Sequence, residues 1–167
     1  MLTFLVGWYS AKYGSVLNPK IIGLGLIYSL SPALANGAVY LATTIPDADG
    51  DRVTGKSTFC VKYGEKRTAI AALFLCTGAL VATFFIEYHY WVMAVPTLLS
   101  LVFFVIFAFS TKREAAFKTF KWPVFLLSAS VSLFVPEYGV LIIITFVLSR
   151  IYYQKRFGIE YPTFKSK

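Results

Sequence analysis

The chain has 167 residues, of which 57% are hydrophobic, and its mean hydropathy is +0.68. One small soluble core cannot bury that much apolar surface, so lipid must cover part of it, and a soluble globular domain is excluded. The net charge of +8 does not indicate nucleic-acid binding, because the basic residues lie between apolar stretches and form no continuous basic face on a soluble surface.

Three apolar stretches are free of formal charge for about 20 residues each, the length that a helix needs to cross a bilayer. They are Ile21–Thr43, Thr68–Ile86 and Trp91–Ser110. The opening Met1–Tyr9 is also apolar, but it is too short to span and lacks the features of a signal peptide. We expect this segment to be the end of a longer helix.

A fourth apolar stretch, Trp122–Tyr153, is split by Pro136 and Glu137 into two arms that are short for spanning. We interpret it as a helical hairpin whose flanking basic side chains extend to the interface. The chain is therefore expected to be an all-α integral membrane protein with about five transmembrane helices. It forms a single membrane domain over residues 1–167.

The Lys and Arg residues are unevenly distributed. Five lie in residues 44–67, four in 111–121 and five from residue 150 onward, against two before the first full span. If each apolar stretch crosses once, the three basic segments share one face, which the positive-inside rule makes cytoplasmic. We therefore expect an integral membrane protein of the bacterial inner membrane, with residues 44–67 and the C-terminus in the cytoplasm.

The segment Thr44–Arg67, called the aspartate loop below, holds half of the chain's eight acidic residues. Asp47 and Asp51 are four residues apart, so on a helix they share one face. Two carboxylates that close repel each other unless a cation lies between them. Their hard oxygen atoms suit Mg²⁺, which keeps several waters and is commonly completed by substrate phosphates.

Basic residues of the aspartate loop supply the complementary charge for a diphosphate. They are Arg52, Lys56 and Lys62. A calcium-binding EF-hand is excluded, because its glycine position holds Arg52 and its bidentate glutamate position holds Thr58. The simplest alternative is a solvated loop whose mixed charges keep it out of the bilayer.

A resemblance to a known family rests on this loop. Residues 44–52 read TIPDADGDR, followed by Gly55, Lys56 and Thr58, and residues 61–64 read VKYG. The pattern resembles the second aspartate-rich motif of the UbiA superfamily of intramembrane prenyltransferases. The surrounding order is also similar, since in that family the motif follows a glycine-rich helix on the cytoplasmic side and further helices lead to the C-terminus.

The resemblance implies transfer of a prenyl group from a prenyl diphosphate to an aromatic or other lipid-soluble acceptor, as in quinone, haem or chlorophyll biosynthesis. It makes Asp47 and Asp51 the Mg²⁺ ligands. Thr44 departs from the family, where many members have a further Asp, so the metal site is expected to have one ligand fewer.

The family's first aspartate motif, of the Asn-Asp-x-x-Asp kind, does not occur in the chain. The resemblance thus covers the C-terminal half of a UbiA-type bundle, an open half-shell that is expected to be inactive alone. Its expected partners are membrane lipid, prenyl diphosphate and either a helical partner chain or a missing N-terminal half. The alternative is a non-catalytic membrane subunit that packs within a larger complex.

Asn36 is a polar residue inside the first span. Polar groups at membrane depth are costly and often functional. A hydrogen bond to a neighbouring helix is the favoured interpretation.

Overall fold

Helices form the regular structure of the described chain, which in this computed structural model comprises residues 5–7, 19–87, 89–110 and 112–162. The helices are α1 (Pro19–Thr43), α2 (Ala48–Val53), α3 (Phe59–Tyr63), α4 (Glu65–Thr83), α5 (Trp91–Ser110), α6 (Arg113–Ser132) and α7 (Pro136–Phe157). Of these, α1, α4 and α5 are long and apolar enough to cross a membrane. The all-helical prediction is confirmed. Apart from residues 5–7, the predicted N-terminal helix end lies outside the described residues.

Several predicted boundaries are displaced, since α1 begins at Pro19 and not at Ile21, and α4 ends at Thr83 and not at Ile86. Helix α4 begins at Glu65 and not at Thr68, because Gly64 adopts a φ of 83° that separates α3 from α4 and lets the charged residues form the first helical turn. The predicted hairpin is broken at residues 133–135, before Pro136. Proline needs no N–H partner at the start of a helix, so Pro136 and Glu137 begin α7 and do not form the turn.

Helices α1, α4, α5 and α6 form a four-helix bundle. Helix α1 packs against α4 and α6, and α5 packs against the same two helices. These contacts close a ring, whereas the sequence predicted an open half-shell. The difference arises because α6 returns along α5 far enough to reach α1.

Small residues set the close approach of α1 and α4. A Cβ atom at Gly37 would lie 3.3 Å from Leu75 Cδ1, and one at Gly78 would lie 3.5 Å from Leu34 Cδ1. Since the later residue of α1 faces the earlier residue of α4, the two helices are antiparallel. Small side chains let helix backbones approach closely in a bilayer, where dispersion replaces the hydrophobic effect as the driving force.

Helices α5 and α6 are also antiparallel. The Ser130 hydroxyl donates to the Val92 carbonyl oxygen at 2.9 Å, and the Trp122 ring stacks on Phe103 with centroids 5.9 Å apart. Near the same end, the Phe134 ring lies 4.5 Å from that of Trp91. The α6–α7 turn and the α4–α5 turn therefore lie side by side, at the end of the bundle opposite the aspartate loop.

Helix α7 packs mainly against α6, and none of its residues is buried. Gly139 makes its approach possible, because a Cβ atom there would lie 3.0 Å from Ser132 Cβ. The apolar side chains of α7 thus remain on the outside of the bundle.

Candidate functional site

The aspartate loop folds over the end of the bundle where α1 ends and α4 begins. Ile45 and Ala48 are buried and belong to the apolar core, together with Cys60 from α3. Thr58 caps α3 by accepting a 3.4 Å hydrogen bond from the Val61 N–H. These apolar contacts hold α2 and α3 on the bundle and leave their charged side chains outward.

The predicted metal pair lies on successive turns. The Asp51 N–H donates to the Asp47 carbonyl oxygen at 2.9 Å, so the backbone between the two residues is helical. Asp47 is exposed, whereas the Asp51 side chain is only 14% exposed. The spacing thus brings the residues to adjacent turns as predicted, with one carboxylate in solvent and the other partly covered.

One of the three predicted phosphate-binding bases contacts this pair directly. Lys56 Nζ lies 3.7 Å from Asp51 Oδ1, and the Lys56 N–H also donates to the Asp51 carbonyl oxygen at 2.9 Å. Gly55 permits this return of the chain with a φ of 71°. The loop therefore wraps a positive charge back onto the covered carboxylate.

The other two bases have different neighbours. Arg52 pairs with Asp49 at 3.6 Å, and Lys62 Nζ lies 5.4 Å from the centre of the Tyr63 ring. Sequence reasoning did not assign Asp49, although its spacing from Arg52 is that of neighbours on a helix surface. Both bases are exposed, so they remain accessible to an anion from solvent.

The carboxylates of Asp47 and Asp51 suit Mg²⁺ only if waters and a bound substrate complete its coordination. Within the described residues, no group of three or more His, Cys, Asp or Glu is placed to hold a metal ion. Two carboxylates completed by waters and phosphate oxygens are nevertheless ordinary Mg²⁺ ligation. Lys56 is 70% exposed and its Nζ lies 3.7 Å from Asp51 Oδ1, so a cation that arrives from solvent can take its place beside Asp51.

Thr44, where the resemblance leads one to expect a further Asp, does not contribute to this pair. Its side chain is 6% exposed, and its hydroxyl donates to the Leu41 carbonyl oxygen at 2.7 Å. The residue ends α1 by satisfying a terminal carbonyl.

Cys60, in α3 of the aspartate loop, is a free, buried cysteine. Burial raises the pKa of its thiol, and the nearby Glu65 carboxylate adds to this, while a hydrogen bond with Thr68 and the charge of Arg52 oppose it. The thiol is therefore protonated at neutral pH, and it packs as an apolar group.

An apolar layer, which includes Ile45, Ala48 and Cys60 of the aspartate loop itself, lies between the charged side chains of the loop and the interior of the bundle. Its buried members are Ala38, Ala42, Ile45, Ala48, Cys60, Ala69, Ala72, Cys76, Phe104, Phe107 and Ala116. Two of them, Cys76 and Phe104, also line a cavity of about 300 Å³ between α1, α4, α5 and α6. The loop carboxylates and this intramembrane cavity thus lie on opposite sides of the layer.

Sequence reasoning missed the intramembrane cavity. Three helix-interior prolines line it, namely Pro32, Pro96 and Pro123. Asn36 lines it too and is exposed, and within the described part of the chain its side chain has no hydrogen-bond partner. The favoured interpretation of Asn36, a bond to a neighbouring helix, is therefore not what the structure contains.

No family model, curated protein or solved structure matches this chain. The resemblance to the UbiA superfamily accordingly rests on the residues of the aspartate loop and on the order of the helices around it.

Proposed function

We propose that the chain is the C-terminal part of a Mg²⁺-dependent, UbiA-type prenyltransferase, which transfers a prenyl group from a prenyl diphosphate to an aromatic or other lipid-soluble acceptor. The observation that carries this proposal is the Asp47 and Asp51 pair on successive turns at the end of α1, with Lys56 at 3.7 Å from Asp51. Carboxylates and bases at the mouth of an apolar bundle suit a substrate with a charged head and an apolar tail.

Five charged residues of the aspartate loop take part in the proposed reaction. Asp47 and Asp51 hold Mg²⁺, which when bound neutralises diphosphate charge. Lys56, once released from Asp51, binds a phosphate oxygen, and the exposed Arg52 and Lys62 extend the positive surface. The apolar prenyl chain lies along the helices, in contact with membrane lipid.

The proposed topology has five membrane crossings, with the aspartate loop and the C-terminus in the cytoplasm of a bacterial inner membrane. Helix α6 follows α5 from Trp122 beside Phe103 to Ser130 beside Val92, which supports a full crossing by α6 if α5 crosses. Helix α7 has 22 residues, and at about 1.5 Å per residue it is long enough to return. The placement of the basic segments supports the orientation.

The experiment compares two carboxylates of the same helix in the assembled enzyme. The chain is supplied with an N-terminal half or partner that carries a first aspartate motif, and prenyl transfer is measured with Mg²⁺. Asp51→Asn is expected to lower turnover about 100-fold or more. The control Asp49→Asn removes an equal charge that pairs with Arg52, and it is expected to retain activity. Unchanged turnover in Asp51→Asn would contradict the proposal.

A second candidate is a non-catalytic membrane subunit that packs within a larger complex. The apolar layer between the aspartate loop and the intramembrane cavity favours it, because a diphosphate held at Asp47 and Asp51 does not reach the interior past buried Phe107 and Ala48. The two candidates differ in the partner that purifies with the chain. A partner with a first aspartate motif supports the enzyme, and a stable complex without one supports the subunit.

A further inference from the structure

Three of the four helices that line the intramembrane cavity contain an internal proline. Pro32 of α1, Pro96 of α5 and Pro123 of α6 all line it. A proline inside a helix removes one backbone hydrogen bond and bends the helix. Each of the wall helices α1, α5 and α6 therefore has one internal hydrogen bond fewer beside the cavity.

The wall of the cavity carries no charge. All of its lining residues are neutral, and apart from Cys76 the polar ones are Asn36, Thr97 and Ser100. An ionised carboxylate or diphosphate would lose its hydration here without gaining a counter-charge, which costs several kcal/mol or more. The cavity thus selects against anions, in contrast to the aspartate loop.

Two polar side chains of the wall lack protein partners. Thr97 is 6% exposed, and within the described residues neither its hydroxyl nor the amide of Asn36 forms a hydrogen bond. Ser100, by contrast, donates to the Pro96 carbonyl oxygen at 2.6 Å. Asn36 lies seven residues before the end of α1, about 10 Å along the axis of this apolar helix. Unpaired polar groups within a membrane span are costly unless a ligand satisfies them.

The size of the cavity limits the ligand. An apolar protein cavity of about 150 Å³ holds one benzene molecule. A volume of about 300 Å³ therefore accommodates one substituted ring or two small rings.

From these observations we infer that the intramembrane cavity binds a neutral, lipid-soluble ring compound whose hydroxyl or carbonyl oxygen hydrogen-bonds to Thr97 and Asn36. This inference does not rest on the proposed function, because none of the lining residues belongs to the aspartate loop. It adds a second site, chemically opposite to the first, within the same bundle.

The ligand enters from the side. Among the lining residues Asn36 and Val124 are exposed, Val124 by 53%. They belong to α1 and α6, so within the described chain the cavity opens between these helices.

The test uses the full chain in nanodiscs and measures binding by fluorine NMR at neutral pH. Para-fluorophenol is the neutral polar probe, fluorobenzene lacks the hydrogen-bonding group, and para-fluorobenzoate is the anion. Empty nanodiscs give the contribution of partition into lipid. Saturable binding of para-fluorophenol above empty nanodiscs, with none of para-fluorobenzoate, is expected. No saturable binding, or equal binding of the anion, would overturn the inference.

Variants then locate the site. Thr97→Val is isosteric. It is expected to weaken the binding of para-fluorophenol about 3- to 10-fold and to leave the binding of fluorobenzene unchanged. The same result is expected for Asn36→Leu. Ala35→Phe fills the cavity and should remove binding of both probes. The matched control is Thr77→Val, because the exposed Thr77 hydroxyl donates to Leu73 of its own helix. Wild-type affinity in both Thr97→Val and Asn36→Leu would place the probe elsewhere and refute the inference.

A last variant separates this inference from the proposed function. Asp51→Asn is expected to bind para-fluorophenol like the wild type, because Asp51 lies beyond the apolar layer. Loss of prenyl transfer with intact probe binding supports both proposals. Loss of probe binding in Asp51→Asn would contradict a separate cavity site, whatever happens to transfer.

Discussion

The Ser130 hydroxyl donates a 2.9 Å hydrogen bond to the Val92 carbonyl oxygen, which joins the last turns of α6 to the first turn of α5. The residue that would normally bond this carbonyl within α5 is Pro96, which has no N–H. Ser130 thus supplies from a neighbouring helix the donor that the proline removes. The same contact fixes the register of the α5–α6 pair.

Ser130→Ala is expected to destabilise the bundle by about 0.6 to 2 kcal/mol, since it leaves the Val92 carbonyl without a donor. Ser132→Ala is the matched control, because the Ser132 hydroxyl donates to the Ser128 carbonyl within α6. Thermal unfolding in detergent, followed by circular dichroism, gives the comparison. Equal stability of the two variants would mean that the bond between α5 and α6 contributes nothing measurable.

The α1–α4 contact gives a second stability prediction. A Cβ atom at Gly37 would meet Leu75 at 3.3 Å, whereas one at Gly23 has nothing within 4 Å. Gly37→Leu should therefore force α1 and α4 apart at a cost of about 1 to 3 kcal/mol. Gly23→Leu is expected to have little effect. If both variants unfold at the same temperature, the close approach of the two helices is not required for stability.

Labelling in intact cells checks the topology. Both native cysteines are buried, so the wild-type chain should give little background with a membrane-impermeant thiol reagent. Cysteine introduced at Asp49 is expected to resist the external reagent, and cysteine at His89 is expected to react, because the basic segments favour a cytoplasmic aspartate loop. Both positions are exposed. The reverse pattern would overturn the proposed orientation.

The thiol of Cys60 gives a prediction that depends on pH. Burial raises its pKa above the ordinary 9.0, so at neutral pH it holds less thiolate than a free cysteine. Thiolate is the nucleophile, and alkylation of Cys60 should stay slow until the pH rises through the raised pKa. Cysteine introduced at the exposed Ser57 is the comparison in the same loop. Rapid alkylation of Cys60 at neutral pH would mean that the loop opens readily.

The sequence predicts long elements better than short ones. The bounds of α5, Trp91–Ser110, agree with its charge-free run, because lipid requires an unbroken apolar stretch. The start of α4 was wrong, since charged residues fill its first turn without ending the helix. The spacing of Asp47 and Asp51 was interpreted on the assumption of a helix there, which α2 bears out, but the bounds of α2 and α3 were not predicted. Buried Ala48 and Cys60 anchor these two short helices.

The two candidate sites also differ in how well the sequence predicts them. Four-residue spacing was enough to place Asp47 and Asp51 on adjacent turns, because that relationship is local. The intramembrane cavity joins Pro32, Pro96 and Pro123, which are far apart in the chain and meet only when the ring of helices closes. No local sequence pattern predicts that these three prolines line the same cavity.

The final prediction is that the chain alone has no prenyltransferase activity. Of the four acidic residues in the aspartate loop, one pair, Asp47 and Asp51, is proposed to hold the metal, and Lys56 lies 3.7 Å from Asp51. A metal-bound diphosphate needs ligands on its other side, which the proposed N-terminal partner supplies. Asp47 is also exposed to water, so an allylic cation formed beside it would be hydrated before an acceptor attacked.

Purified chain in nanodiscs, given Mg²⁺, several prenyl diphosphates and a panel of aromatic acceptors, is therefore expected to form no prenylated product. Product should appear when a partner with a first aspartate motif is added, and Asp51→Asn should remove it again. A partner of similar length without that motif serves as the control. Product from the chain alone would refute this prediction, because it would require that Asp47, Asp51 and the bases of this one loop suffice to release and shield the prenyl group.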